Sequence, residues 1–140
     1  MTTYESEKRI LFANAETAFG LLSDLSNLEK FKHEENAPEQ LKEAQFDKDS
    51  CQIKVEGLGT IGLRVVERIP FSTIKFETEN IPMMKFDAWV LLEEINENET
   101  QLQLKLEANL PMMVKMMLDA KIKDGINKAA DVIAKAINSR

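Results

Sequence analysis

The stretch PMMVKMMLDAKIKDGINKAADVIAKAI, residues 111–137, predicts one long helix near the end of the chain. In its second half, apolar side chains recur at helical spacing and charged side chains oppose them. This pattern is typical of a helix that lies on a sheet with one face in water. The apolar stripe consists of Ile122, Ile126, Ala129, Ile133 and Ile137.

The first half of this helix is apolar nearly all round. Among residues 112–119 only Lys115 and Asp119 are polar, and four methionines stand close together. A surface of this kind is seldom left open to water. We therefore expect this half to be covered on more than one side, or to lie at an opening that a ligand, a membrane surface or a second subunit covers.

Gly125 lies inside the predicted helix, where a glycine costs about 1 kcal/mol relative to alanine. The apolar stripe keeps its phase across this position. We therefore predict that the helix continues, with a close approach to the sheet or a slight kink at Gly125. A split into two helices is the alternative.

The chain before the long helix is typical of strands, apart from one helical region. Residues 4–12 alternate as a first strand that becomes more buried toward its end. Asn14 is placed to cap a short helix over residues 15–22, and Ser26 to cap a second one. Six more strand-like segments follow, at residues 41–47, 51–56, 60–68, 73–79, 84–95 and 101–110.

Short polar or glycine-bearing links join the last six segments, so the sheet is predicted to be antiparallel. Alternation assigns its apolar face to Cys51, Ile53, Val55, Ile61, Leu63, Val65, Ile74, Phe76, Phe86, Ala88, Val90, Leu92, Leu102, Leu104 and Leu106. Arg64 and Trp89 have the opposite parity and are predicted on the outer face. A shift in register by one residue would turn Arg64 inward.

Composition limits the class of protein. The 140 residues are predicted to form a single α+β domain spanning residues 1–140. With 24 acidic and 18 basic residues the net charge is −6, which argues against a nucleic-acid partner. No apolar run is long enough for stable membrane insertion, and the single cysteine, Cys51, favours the reducing cytoplasm. His33 is the only histidine and is far in sequence from Cys51, so neither a metal site nor a Cys–His nucleophile pair is predicted. No cofactor is expected.

A family resemblance rests on the order of elements and on two stretches of sequence. These are LSDLSNLEKF at residues 22–31 and VERIPFSTIKF at residues 66–76. The chain resembles the SRPBCC or START-like superfamily of polyketide-cyclase-like proteins with the helix-grip fold. The resemblance implies a curved seven-stranded antiparallel sheet wrapped on the C-terminal helix, with a cavity between them that two short helices partly close. Members bind lipids, sterols, polyketides or plant hormones; a few catalyse cyclisation or dehydration, and some regulate an ATPase chaperone.

The sequence predicts binding of a small hydrophobic or lipid-like molecule, without catalysis. Methionines are flexible and polarizable, so two clusters of them suit the mouth of an apolar pocket. Filling of a core is the better explanation for each one taken singly, but the clustering of all six favours a pocket wall or a lid. The predicted ligand-binding residues are Met83, Met84, Phe86, Met112, Met113, Met116, Met117, Phe76 and Val90. No catalytic set of His, Tyr, Arg and acid falls on the inward strand positions. The alternatives are a cyclase or dehydratase, and a protein-interaction or homodimerisation module without a ligand.

Overall fold

The computed structural model describes residues 1–34, 37, 39–55, 59–79 and 85–140. In chain order the elements are β1 (Thr2–Glu5), β2 (Arg9–Leu11), α1 (Ala15–Ser23), a 3-10 helix (Leu25–His33), α2 (Glu39–Lys42), β3 (Gln45–Phe46), β4 (Ser50–Val55), β5 (Gly59–Ile69), β6 (Thr73–Glu79), β7 (Lys85–Asn96), β8 (Glu99–Asn109) and α3 (Met112–Asn138). This order confirms the predicted α+β class, the helix pair and the long last helix, and it differs in the divided first strand and in α2.

The strands form one curved antiparallel sheet in the order β1-β8-β7-β6-β5-β4-β3. β2 also pairs with β8, beyond the end of β1. The eight strands therefore occupy seven positions across the sheet, because β1 and β2 share one position beside β8. The curved seven-stranded sheet with a long C-terminal helix is therefore confirmed.

In the described part of the chain, the concave face of the sheet carries the predicted apolar side chains; the side chain of Val55 lies outside the description. In the register of the strands, Ile53 lies opposite Ile61, and Val90 lies between Ile74 and Leu104. Side chains of one parity are buried along β6 and the middle of β7, because successive residues of a strand point to opposite faces. Alternation was therefore enough to predict the inward face.

The first strand differs from the prediction because it is interrupted at Ser6. Glu5 pairs with Lys105, but Arg9 pairs with Leu102, so the first strand has one more residue than β8 across this break. The extra residue shifts the alternation by one position. In consequence Leu11 is fully buried, and the prediction that burial increases toward the end of this strand is wrong for Ile10 and Phe12, which are 38% and 63% exposed.

Residues 41–47 were predicted as a strand, and most of that prediction is wrong. The segment begins in the short helix α2. Only its residues Gln45 and Phe46, which form β3, pair as a strand with β4. Leu41 and Ala44 are three residues apart, which places them on one side of a helical turn. The Ala44 N–H donates to the Leu41 carbonyl at 3.2 Å, and Ala44 is fully buried.

The helix pair after β2 is confirmed, with one change of cap. Asn14 accepts from the Thr17 N–H at 2.8 Å, as an N-cap residue does. The second helix is a 3-10 helix whose N-cap is Asp24 and not Ser26, because the Asp24 carboxylate accepts from both the backbone and the hydroxyl of Ser26. The break between the two helices is therefore a single residue.

The last element is one continuous helix, as predicted. Its 27 residues cross Gly125 without interruption, so the alternative of two helices is wrong. The predicted close approach of Gly125 to the sheet is also wrong, since a Cβ built at this position would have no atom within 4 Å. The helix thus tolerates Gly125 without needing it for packing.

α3 is fixed against the N-terminal edge of the sheet. Its principal contacts are with β1, β2, β8 and the 3-10 helix. Arg9 forms an ion pair with Asp131, and the Glu7 N–H donates to Asn127 Oδ1 at 2.8 Å. The helix therefore lies toward one side of the concave face.

Candidate functional site: the space between sheet and helix

The buried apolar core is divided into two clusters. The larger cluster joins α1, the 3-10 helix and the C-terminal half of α3 to the middle of the sheet. The smaller one consists of Tyr4, Ile61, Phe86 and Ala108. Leu63 packs against both clusters, so it marks the place where they approach each other.

Several apolar side chains on the concave side are only half-buried. On the sheet they are Leu63, Ala88, Leu104 and Leu106, and on α3 they are Ile122 and Ile126. An interior is normally packed as densely as an organic crystal, so inward apolar groups that stay partly open border a space. These six residues define the sheet–helix space.

The position of α3 explains why the space is there. The strands β4 to β7 are not among its principal contacts, so the helix lies closest to the other side of the sheet. Gly125 stands three residues after Ile122, on the same side of the helix, and carries no side chain that could fill a gap. We use the name recess for the region between α3 and the central strands that these half-buried apolar side chains border.

A polar pair borders this recess. The hydroxyl of Tyr4 donates to Asp119 Oδ1 at 2.7 Å, and Tyr4 is only 2% exposed. Burial, then the hydrogen bond and charge of Asp119, raise the pKa of Tyr4 to about 12. The hydrogen bond from Tyr4, followed by the one from Lys123, lowers the pKa of Asp119. At neutral pH the pair is therefore a phenol bonded to a carboxylate.

Cys51 is a buried core residue and not a nucleophile. It is 6% exposed, and burial, with a smaller effect of the Asp47 charge, raises the pKa of its thiol to about 12. The thiolate is the reactive form of cysteine, so a thiol that stays protonated is inert. This agrees with the prediction that Cys51 is a small buried apolar group.

The predicted ligand-binding residues fall into three groups. Phe76, Phe86 and Val90 are buried on the concave face, at 8%, 5% and 8% exposure. Phe76 and Val90 belong to the larger core cluster and Phe86 to the smaller one. Met83 and Met84 lie outside the described residues.

The third group consists of Met112, Met113, Met116 and Met117, which are 70–79% exposed. They occupy the first two turns of α3 and do not belong to either core cluster. The structure therefore brings three of the nine predicted residues to the concave face and leaves these four on the surface. Whether any of the nine binds a ligand stays a prediction.

Sequence reasoning did not include the half-buried residues of the recess among the site residues. Alternation did predict that Leu104 and Leu106 point inward, and the helical stripe contained Ile122 and Ile126. The missing signal was their incomplete burial, which depends on how far α3 stands from the strands. Nor did the sequence show that Tyr4 and Asp119 meet.

Trp89 and Arg64 lie on the outer face, as predicted. The ring of Trp89 is covered by Lys75 and Lys105, whose ammonium groups are 5.5 and 5.1 Å from the ring centroid. Arg64 is exposed and forms an ion pair with Glu79. Neither residue therefore faces the recess.

Two open pockets lie on the surface, away from the recess. One of about 500 Å³ is bordered by Arg9, Asp131 and Lys135, and another of about 530 Å³ by Phe71 and several glutamates. Within the described part of the chain, no group of three or more His, Cys, Asp or Glu side chains is arranged to hold a metal ion. In the same part, no helix has the length and apolar character needed to cross a membrane.

Comparison with known proteins gives the fold. The sequence matches no protein-family model. It has no match among curated protein sequences. Solved structures, by contrast, superpose over nearly the whole chain.

The Zhui aromatase/cyclase from a Streptomyces species superposes with a TM-score of 0.72 at 14% identity, over 99% of this chain and 94% of that one. A START superfamily protein from Mycobacterium smegmatis gives 0.66 at 16% identity, over 98% and 97%. A conserved protein from Geobacillus kaustophilus gives 0.66 at 18% identity, over 99% and 96%. At such low identities the likeness shows the fold alone, which is the START-like helix-grip fold.

Proposed function

We propose that this protein binds a small hydrophobic or lipid-like molecule in the sheet–helix space, without catalysing a reaction. The observation that carries the proposal is the set of inward apolar side chains that remain half-buried between two core clusters. An apolar recess of this kind gains stability when an apolar ligand covers it, by about 25 cal/mol for each Å² removed from water. The START-like fold is known for ligand binding, which supports the same conclusion.

The lining favours a ligand with an apolar body. Leu104 and Leu106 on the sheet and Ile122 and Ile126 on α3 would contact that body, with Phe76, Phe86 and Val90 as the buried wall behind them. Met112, Met113, Met116 and Met117 are exposed and belong to neither core cluster, so their predicted part in ligand binding has less support. Met83 and Met84 stay predicted ligand-binding residues outside the described part of the chain.

The cyclase or dehydratase alternative has less support. One structural relative is an aromatase/cyclase by name. General acid–base catalysis needs positioned groups that can exchange protons with the substrate near neutral pH. Around this recess, Tyr4 is hydrogen-bonded to Asp119, and the thiol of Cys51 stays protonated.

We also propose that the protein acts in the cytoplasm, where a lone thiol such as that of Cys51 stays reduced.

Binding of the uncharged fluorophore N-phenyl-1-naphthylamine tests the proposal. Ala88 is half-buried on the concave face, between Phe76 and Leu106 in the neighbouring strands. Ala88→Phe should fill the recess and weaken fluorophore binding at least about tenfold, which corresponds to the loss of about 1.4 kcal/mol. The matched control is Glu93→Phe, which adds the same ring to the outer face of the same strand and should bind as the wild type does.

Leu106→Phe is the second interior variant, in case Ala88→Phe does not fold as judged by circular dichroism. Equal binding by the wild type, both interior variants and the control would contradict the proposal. Native mass spectrometry of protein purified from its host adds a second measurement. It should show a bound hydrophobic species in the wild type and less of it in Ala88→Phe.

A further inference from the structure

The methionines at the start of α3 form an exposed apolar surface. Met112, Met113, Met116 and Met117 are 78%, 79%, 79% and 70% exposed, more than any other large apolar residues of the described chain except Met1. Single apolar residues scattered over a surface need no explanation, but four within two helical turns do. We call these four side chains the methionine patch.

The patch faces away from the recess. With 3.6 residues per turn, Met113 and Met117 lie on the side of α3 opposite Leu118 and Ile122. Leu118 is 4% exposed and Ile122 packs against the smaller core cluster. One side of the helix thus packs against the core, and the other side exposes the methionine side chains to solvent.

The charges beside the patch differ in sign from the protein as a whole. Residues 112–123 contain Lys115, Lys121 and Lys123 but only one acid, Asp119, whereas the whole chain has a net charge of −6. Lys115 and Lys123 are exposed, and Lys123 reaches Asp119 at 3.1 Å. With Asp124 included, residues 112–124 carry three lysines and two acids, so the start of α3 is an apolar segment of small positive charge on an acidic protein.

This combination selects among the partners that could cover the patch. A second copy would bring the same lysines together across a two-fold axis. An anionic lipid surface has the opposite charge and accepts apolar side chains at the boundary between head groups and acyl chains. Long lysine side chains reach the head groups while their stems stay in the apolar layer.

We propose that the methionine patch docks the protein reversibly on anionic lipid surfaces. The methionines enter the interface and the neighbouring lysines contact the lipid phosphates. This inference goes beyond the proposed function, since docking is measured without any ligand in the recess. If both ligand binding and docking occur, the protein reaches lipid-like ligands at the lipid surface that contains them.

Co-sedimentation of the purified protein with vesicles tests the docking. Vesicles of phosphatidylcholine containing phosphatidylglycerol should bind the wild type, and vesicles of phosphatidylcholine alone should bind it less. The double variant Met113→Gln/Met116→Gln should reduce the partition coefficient by about tenfold, because less apolar area enters the interface. Glutamine has a helix propensity close to that of methionine, so the helix should be preserved.

Phe12→Gln is the matched control. Phe12 is 63% exposed but lies on the segment after β2, away from the start of α3. It should bind vesicles as the wild type does. Lys115→Gln should weaken binding to the anionic vesicles and leave binding to phosphatidylcholine unchanged.

The outcomes are distinct. Equal partitioning of the wild type and the double variant would overturn the proposal, as would no binding of the wild type. A concentration-dependent dimer that the double variant loses, without vesicle binding, would assign the patch to a second copy instead. Ala88→Phe should dock normally even if it no longer binds the fluorophore, so failure of the proposed function and failure of docking are separable.

Discussion

At the scale of single residues, the hydrogen bond between Tyr4 and Asp119 joins the first strand to the long helix beside the recess. Tyr4 is the only tyrosine in the chain, so its ionisation can be followed without interference from another phenol. The parity of Tyr4 in β1 follows from the alternation of its strand. Its partner is 115 residues away, and no local pattern in the sequence identifies it.

The ultraviolet absorbance of tyrosinate should therefore titrate with a midpoint of about 12 in the folded protein, instead of the ordinary value of 10.0. A pKa raised by folding stabilises the fold below pH 10 and loses this contribution as the pH rises toward 12. Asp119→Asn should lower the midpoint, but it should stay above 10 because burial is the largest cause. A midpoint near 10 in folded wild-type protein would show that Tyr4 is not buried against Asp119.

At the scale of elements, local patterns predicted most of the structure and failed where the chain changes phase. The inward positions of β4 to β8 and the Asn14 cap follow from neighbours in sequence. Ser6 interrupts the first strand through its backbone and side-chain hydrogen bonds to Leu104. Leu104 belongs to β8, which is adjacent in the sheet but far away in sequence. The sequence offered no means of predicting this interruption, and so Ile10 and Phe12 were placed incorrectly.

α3 offers a test in which backbone propensity acts without a change in packing. Gly125→Ala should raise the free energy of unfolding by about 1 kcal/mol, since alanine is the better helix former and its Cβ meets no atom within 4 Å. Urea unfolding measures the change, with Gly20→Ala in α1 as a second site that also has open space around a Cβ. A loss of stability in Gly125→Ala would mean that the helix approaches a neighbour more closely at this position.

At the scale of the whole molecule, Arg68 connects parts of the chain that are far apart in sequence. Its guanidinium donates twice to the Ser23 carbonyl, at 3.0 and 2.8 Å, and once to Asp49 Oδ1 at 2.7 Å. The end of α1 and the turn before β4 are thereby held against β5. A planar fork of donors is needed to reach both acceptors together.

Arg68→Lys should consequently lower the free energy of unfolding by about 1–2 kcal/mol, because a lysine cannot replace several directed hydrogen bonds. Arg64→Lys is the matched control on the same strand. Arg64 has an exposed ion pair with Glu79, and the change should be below about 0.5 kcal/mol. Urea unfolding of the two variants compares them directly, and equal effects would argue against a connecting role for Arg68.

The candidate site shows the limit of prediction at this scale. The sequence predicted a covering helix and an apolar concave face, and the resemblance implied a cavity between them, but neither identified the half-buried side chains that border it. Its volume depends on where α3 is fixed, and Asp119 and Asp131 fix it through Tyr4 and Arg9 at the other end of the chain. The exposure of the methionine patch has the same origin, since an all-round apolar helix end does not reveal which side the fold covers.

The placement of Trp89 has a consequence for optical measurements. It is the only tryptophan, and its ring lies on the outer face between two lysines. A molecule in the recess is separated from the indole by a single sheet, about 10 Å of protein. A transparent ligand should therefore leave the emission of Trp89 unchanged, whereas one that absorbs at those wavelengths should quench it by resonance energy transfer. Quenching of the Trp89 emission therefore reports an absorbing molecule on the opposite face of the sheet.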